Sequence, residues 1–392
     1  MRRLMPLALA AVLTIVCAVA ATAAEKPLTF GLLLVGPYND KGYSQAQYEG
    51  GKYVEAQQPG TKMLYLDKVN PADRPGVTIP QLVDDLAAKG ATLILAGSDD
   101  MKDGIREAAE AHPDLTFVHL SGDDALTGKA PKNLGNVFSK MEYAKMMAGF
   151  SAAMTTKTGK IGFLGPLIND ETRRLANAAY LGARYAWETV RGQKPEALTF
   201  KVSWIGFWFN IPGVTSDPNQ VAGSFYDQGY DVIISGIDTP EALTVAGARK
   251  KTGADVYALP YDFKLACQGA PDVCLGVPYF NWGPPLLTIA KAVAAGTYKP
   301  GFEWLAPDFA ALNDPDKSPI GFTEGNALSP ETKKALAQFI ADIGSGKINL
   351  YAGPLQYQDG TTFVQAGSVA TDKDIWFTPQ LLRGMEGASA SK

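Results

Sequence analysis

The sequence predicts an α/β protein with two doubly wound parallel sheets in tandem. Three observations carry that expectation. Short, continuous apolar runs alternate with longer segments of helical spacing, the pattern of parallel strands joined by crossover helices. The alternation lapses after residue 120 and restarts before residue 161. The length, 392 residues, suits two domains with ample core.

Leu28–Val35 (LTFGLLLV) is apolar throughout and stops at Gly36-Pro37, as a strand buried on both faces does. Tyr43–Gln57 reads as a helix that ends near Pro59-Gly60, and Met63–Leu66 as a short strand. Ile79–Lys89 carries Ile79, Leu82, Val83, Leu86 and Ala87 on one helical face and meets a stop at Gly90. Ala91–Ala96 is a strand, Met101–His112 a helix and Leu115–Leu120 a strand. In the second half, Glu142–Thr156 and Asp170–Val190 read as helices around a strand at Ile161–Leu164. Strands at Leu198–Val202, Val232–Ser235 and Val256–Leu259 are separated by helices at about 218–228 and 239–251. Gly283–Ala295 and Pro330–Ile343 read as helices, and Asp359-Gly360 as a hairpin turn. Two facing sheets of this kind place their carboxyl strand ends around one cleft.

The chain begins with a segment of a different kind. Arg2 and Arg3 precede an uncharged apolar run, Leu4 to Ala21, and the small residues Ala21-Thr22-Ala23-Ala24. This is the layout of a secretory signal peptide over residues 1–24, with cleavage near Ala24 and a product in the periplasm or outside the cell. Val16 before Cys17 is not the small residue that a lipoprotein site wants, so a soluble product is expected and lipid anchoring at Cys17 is not. Cys267 and Cys274 then remain, close in sequence and in an oxidising compartment, and are read as a disulfide.

Composition excludes several functions. With 40 acidic and 36 basic residues, the net charge of -4 argues against a nucleic-acid polymer as partner. Two histidines make a histidine-based metal centre improbable, and no cofactor motif is present. His119 falls inside a strand pattern and reads as a packed structural residue. There is no G-x-S-x-G elbow, no complete P-loop and no H-E-x-x-H, so nothing favours catalysis. Aromatics are plentiful, with 16 Tyr, 17 Phe and 6 Trp.

The loops past the strand ends hold the candidate site. Asn39 and Asp40, after the first strand, suit either a helix cap or a polar ligand group, with Tyr43 at the cleft edge. Ser98 and Asp99 follow the third strand and Ser121 the fourth. Trp204, Phe207, Trp208 and Phe209 crowd one stretch that either fills core or walls a site for a flat ligand. Asp238 and Asp262 each put a carboxylate past a strand, where it either accepts ligand hydrogen bonds or caps a helix.

Taken in order, Asn39-Asp40-Lys41-Gly42-Tyr43-Ser44-Gln45, Asn136-Val137-Phe138 with Ala148-Gly149, Lys160-Ile161-Gly162-Phe163, Trp204 to Phe209, Ile237-Asp238-Thr239-Pro240 and Asn281-Trp282-Gly283-Pro284 resemble one family. It is the basic membrane protein family of ABC-transporter substrate-binding proteins, which includes purine-nucleoside-binding lipoproteins. The resemblance implies a type I periplasmic-binding fold: two lobes joined by three crossovers and closing on a ligand. It implies residues 25–139 and about 284–318 in lobe 1, and 140–283 and about 319–392 in lobe 2. It also implies a purine nucleoside or nucleobase as ligand, an ABC permease as partner, a monomer, no cofactor and no catalysis. The family's stacking rings fall on Tyr43 and on Trp208 or Phe209, and its cleft acids on Asp238 and Asp262; Asn281 and Trp282 are carried over with their motif. Departures are Ser121 where many nucleoside binders have Asp, a phrase nearer the adenine-binding branch; Asn210 for Asp; and the loop Gly97-Ser98-Asp99-Asp100. The alternatives are a receptor for a sugar or other heterocycle on the same fold, and a secreted hydrolase using cleft carboxylates.

Overall fold

A computed structural model describes residues 27–390. The signal-peptide segment and Cys17 lie outside the described residues. The first layer is a six-stranded parallel sheet. Its strands β1 (Thr29–Leu33), β2 (Lys62–Leu66), β3 (Leu93–Ala96), β4 (Thr116–His119) and β5 (Leu134–Ser139) alternate with α1 (Tyr43–Gln57), α2 (Ile79–Ala88), α3 (Lys102–Ala111) and the short α4 (Asp124–Thr127). Gly31 of β1 faces Leu86 of α2, while Leu32 beside it faces Gly51 of α1. Helices therefore cover both faces, which is why the strand is apolar without alternation.

From β5 the chain enters α5 (Glu142–Thr155) and builds a second parallel sheet. This has β6 (Lys160–Gly165), α6 (Asp170–Tyr185), β7 (Thr199–Trp204), α7 (Pro218–Asp227), β8 (Val232–Ser235), α8 (Glu241–Lys251) and β9 (Tyr257–Leu259). Helices α5 and α6 cross at two glycines. A Cβ on Gly149 would stand 1.8 Å from the Ala179 carbonyl oxygen, and one on Gly182 2.0 Å from that of Met146.

The chain then passes between the layers. β10 (Gly276–Phe280) leads to α9 (Gly283–Ala294), which packs on α1, and to β11 (Phe302–Leu305), which pairs with β5 at the first sheet's edge. β12 (Ile320–Glu324) runs back antiparallel to β10, and α10 (Pro330–Gly344) packs on α5. The sheet orders are β2-β1-β3-β4-β5-β11 and, with the tail strand β15 (Met385–Glu386) at its edge, β15-β7-β6-β8-β9. The tail forms a small hairpin, β13 (Leu355–Gln356) with β14 (Thr362–Val364), then α11 (Asp372–Trp376) and β15 (Met385–Glu386), which joins β7. Trp376 packs edge-on to Phe302 and Trp304 at the edge of the first sheet, at 4.8 and 5.0 Å between ring centroids. Two doubly wound lobes connected in this way make the type I periplasmic-binding fold.

Strands β5, β10, β11 and β12 have no counterpart in the sequence reading. β5 carries Asn136 in a buried strand, where its amide donates to the Ser121 carbonyl and its oxygen accepts from the Ala125 N–H. β10 contains Pro278, tolerated because β10 pairs along its length with β12 alone and its other edge bridges the chain at the single residue Asp262. Strand β7 runs through Trp204, two residues past its expected end. Cys267 and Cys274 are joined in a disulfide, their Cα atoms 5.5 Å apart.

Candidate functional site

Loops at the carboxyl ends of the two sheets face each other across a narrow cavity. The first lobe contributes Tyr43 at the start of α1, Ser98 and Asp99 after β3, and Ser121 after β4. The second contributes Phe163 from β6 and Pro166 just past it, Trp208 after β7, Gly236 and Asp238 after β8, and Tyr261 and Asp262 after β9. The start of α6 adds Glu171, Thr172 and Leu175. Ligands bind doubly wound sheets at this end because the loops diverge there and leave a crevice.

Local chemistry fixes each wall. Asp40 organises the entry to α1, its carboxylate accepting from the amides of Gly42 at 2.8 Å and of Ser44 and Gln45 at 3.0 Å. Burial raises its pKa to about 6 against the pull of those amides. The Tyr43 hydroxyl donates to the Leu120 carbonyl, and its ring is backed edge-on by Phe280 and Trp282. Gly42 meets the other lobe directly: the Tyr43 N–H donates to the Asp238 carbonyl at 3.3 Å, and a Cβ on Gly42 would lie 1.6 Å from that oxygen. Asn169 caps α6 by accepting from the Thr172 amide at 2.9 Å.

The polar groups on the cavity are not all satisfied by protein. Asp262 has φ 71 and is fully buried, and neither carboxylate oxygen meets a protein donor in hydrogen-bonding geometry, the Tyr261 hydroxyl being the nearby one. The Trp208 indole N–H is likewise without a partner. Burial pushes the carboxyl groups of Asp238 and Asp262 well above the usual carboxylate range, with Asp262 adding to the rise at Asp238 and Lys145 opposing it at Asp262. Burial raises Glu171 to about 7. Lys145 stands behind this wall, donating to the Ser235 carbonyl at 2.7 Å with its ammonium 3.1 Å from the Tyr261 ring centroid. Burial lowers its pKa to about 7. Among the described residues no cluster of side chains suits a metal ion.

Of the residues singled out in the sequence, Tyr43, Ser98, Asp99, Ser121, Trp208, Asp238 and Asp262 meet at this cavity. The others stand elsewhere. Asn39 is exposed, and Asp40 is occupied with the start of α1. Phe209 and Phe207 sit edge-to-face at 5.1 Å and pack against the first lobe's apolar cluster. Trp204 donates to the Ala388 carbonyl at 2.8 Å. The Asn281 amide donates to the carbonyls of Pro315 and Ser318. Trp282 stacks on Phe280 behind Tyr43, at 5.1 Å between centroids. His119 is buried, with Nε2 2.7 Å from the Ser98 carbonyl oxygen.

Phe163, Glu171, Tyr261 and Lys145 were not found from the sequence. Glu171 passes for an ordinary acid in the first turn of a helix. Lys145 does leave a trace, a lone cation in the apolar helix EYAKMMAGFSAAM. It is the kind of buried charge that needs a local reason.

A cavity between two parallel-sheet lobes, lined by rings and carboxyl groups, is the architecture of a solute-binding protein. Residues 28–274 match the family model described as ABC transporter substrate-binding protein, PnrA-like, and the chain belongs to that family. It is 27% identical over 353 residues to a purine-binding protein of Brucella abortus (strain 2308), covering 90% of this chain and 91% of that one. It is 24% identical over 323 residues to a putative ABC transporter glucose-binding protein of Haloferax volcanii, covering 81% and 73%. Similar folds include ABC transporter solute-binding proteins of Aeropyrum pernix K1, at a TM-score of 0.64 and 12% identity over 89% of this chain and 95% of that one. Another is from Conexibacter woesei, at 0.59 and 17% over 82% and 98%. Members of the family bind small molecules for ABC transporters and are not enzymes, which sets aside the hydrolase alternative. Such binding proteins are exported or periplasmic, and no helix among the described residues is long and apolar enough to cross a membrane.

Proposed function

We propose that this protein delivers a purine nucleoside or nucleobase to its permease, and that the ligand sits in the interlobe cavity. The observation that carries the proposal is the pairing of ring walls at Tyr43 and Trp208 with the free carboxylate of Asp262. A purine is flat and offers N–H donors at its edge. Stacking contributes roughly 1–3 kcal/mol per ring contact. Asp238 and Asp262 accept donors from the base or from ribose hydroxyls, and the Trp208 N–H meets a ligand acceptor. Ser98, Asp99 and Ser121 line the first-lobe side. The chain works as a monomer, released after removal of residues 1–24. Its likeness to a purine-binding protein over nine-tenths of its length supports this reading.

A sugar is the second reading, favoured by the halobacterial relative described as glucose-binding. Carboxylates that accept from diols suit a hexose as well as a ribose. A thermal-shift panel of adenosine, adenine, inosine, guanosine and D-glucose separates the two. A ligand at 100 times its Kd adds about 2.7 kcal/mol to stability. Stabilisation by glucose and by no purine would overturn the proposal.

A further inference from the structure

Closing the cavity brings like charges together across the lobe interface. Glu171 stands in the first turn of α6, and its Oε2 accepts from the Ser121 hydroxyl of the other lobe at 3.3 Å. In the same turn, the Asn169 side chain donates to Asp99 Oδ2, again across the interface, at 3.3 Å. Asp99 and Glu171, from opposite lobes, thus line one cavity with Asp238 and Asp262. No cation lines it. Arg174, one turn along α6, is paired with Glu142 at 2.7 Å and lies 4.0 Å from the Trp376 ring centroid. Lys145 is held between the Ser235 carbonyl and the Tyr261 ring. The neutral hydroxyls on the wall are those of Tyr43, Ser98, Ser121, Thr172 and Tyr261.

We propose that Glu171 is a further binding-site residue whose carboxyl takes up a proton as the lobes close, so that closure and ligand retention strengthen as the medium becomes more acidic. With the lobes apart, Glu171 is hydrated and free of Asp99, and it titrates like an ordinary glutamate near 4.3. With them closed, desolvation first and then the charges of Asp99 and Glu142 raise it to about 7, against Arg174 and the Ser121 hydroxyl. A group with its pKa raised in the closed form favours that form when protonated. The advantage is complete below about pH 4, declines as pH rises towards 7 and is gone above about 8. Lys145 responds differently, because Ser235 and Tyr261 both belong to its own lobe and stay in contact whether or not the lobes close. The proposal concerns closure and holds for any uncharged ligand, purine or not.

Interlobe distance tests it directly. Fluorophores placed through Lys89→Cys and Thr252→Cys, both at exposed positions, report lobe separation by energy transfer in the full chain. The ratio of closed to open protein, without ligand, is expected to rise roughly tenfold from pH 8 to pH 6. Glu171→Gln, which mimics the neutral carboxyl, is expected to lose that tenfold component, to be more closed than the wild type between pH 8 and pH 6, and to match it only below about pH 4. Asp99→Asn is expected to move the wild-type transition to lower pH. Unchanged separation in the wild type, or a full pH response retained in Glu171→Gln, would overturn the proposal. Repeating the series with adenosine should show its Kd tightening in step. Failure of adenosine to bind at any pH counts against the purine reading alone, since closure is read without it.

Discussion

Gly42→Ala probes how closely the two lobes must approach. The new Cβ would lie 1.6 Å from the Asp238 carbonyl oxygen, whereas real Cβ contacts essentially never fall below 3.0 Å. The difference between these values obliges the lobes to part by at least about 1.4 Å at this point. The obstacle is backbone, so no side-chain rotation relieves it. Three hydrogen bonds across the interface stand at 3.3 Å and would be broken: Tyr43 N to the Asp238 carbonyl, Ser121 to Glu171, and Asn169 to Asp99. At about 0.5–1.5 kcal/mol net for each bond, closure weakens by roughly 2–4 kcal/mol. That corresponds to a loss of about 30- to 700-fold in affinity. The open form does not meet this clash, so stability without ligand should change by no more than about 0.5 kcal/mol. Isothermal titration with the cognate ligand, together with urea unfolding of the free protein, separates the two effects. Unaltered affinity would refute the reasoning, because it would mean that the ligand-bound lobes do not meet at Gly42.

Trp208→Ala should weaken ligand binding about tenfold or more through lost stacking, whereas Trp208→Phe should keep most of the stacking and lose only the indole donor; titration calorimetry reads both. Replacing both Cys267 and Cys274 by serine frees a loop with a sequence separation of 7. In the chain-entropy account this lowers unfolding stability by about 2–3 kcal/mol, measurable as a shift of the urea midpoint. Arg174→Met leaves the buried Glu142 without its ion-pair partner and should destabilise the fold by about 3–5 kcal/mol. Adding Glu142→Gln should recover part of that loss, and equal stability of the single and double variants would show that the pair is not coupled.

The parallel architecture was legible because strands covered on both faces are apolar without interruption. Leu32 to Val35 and Val232 to Ile234 announce themselves as such runs. The strands that escaped notice lack that signature. β5 carries a buried asparagine whose partners lie on other segments, and β10 carries a proline in a ribbon whose second edge is bridged at Asp262 alone. The aromatic stretch at 204–209 marked the right region without assigning roles. Trp204 turns to the tail, Phe207 and Phe209 to the other lobe, and Trp208 to the cavity.

The sequence by itself determined the fold class, the strand-end position of the candidate site and the family to which the chain belongs. These depend on local apolar runs, turn residues and short ordered motifs, all written along the chain. Tertiary structure alone decided which polar groups are left over for a ligand. Asp40 and Asp262 are both aspartates in loops after strands, yet one is consumed by three backbone amides and the other meets no protein donor. That distinction rests on which distant segments come within hydrogen-bonding reach. Glu171 shows the same thing from the other side: its character comes first from burial, and then from neighbours such as Asp99 and Ser121 that lie on the opposite lobe and far away in sequence.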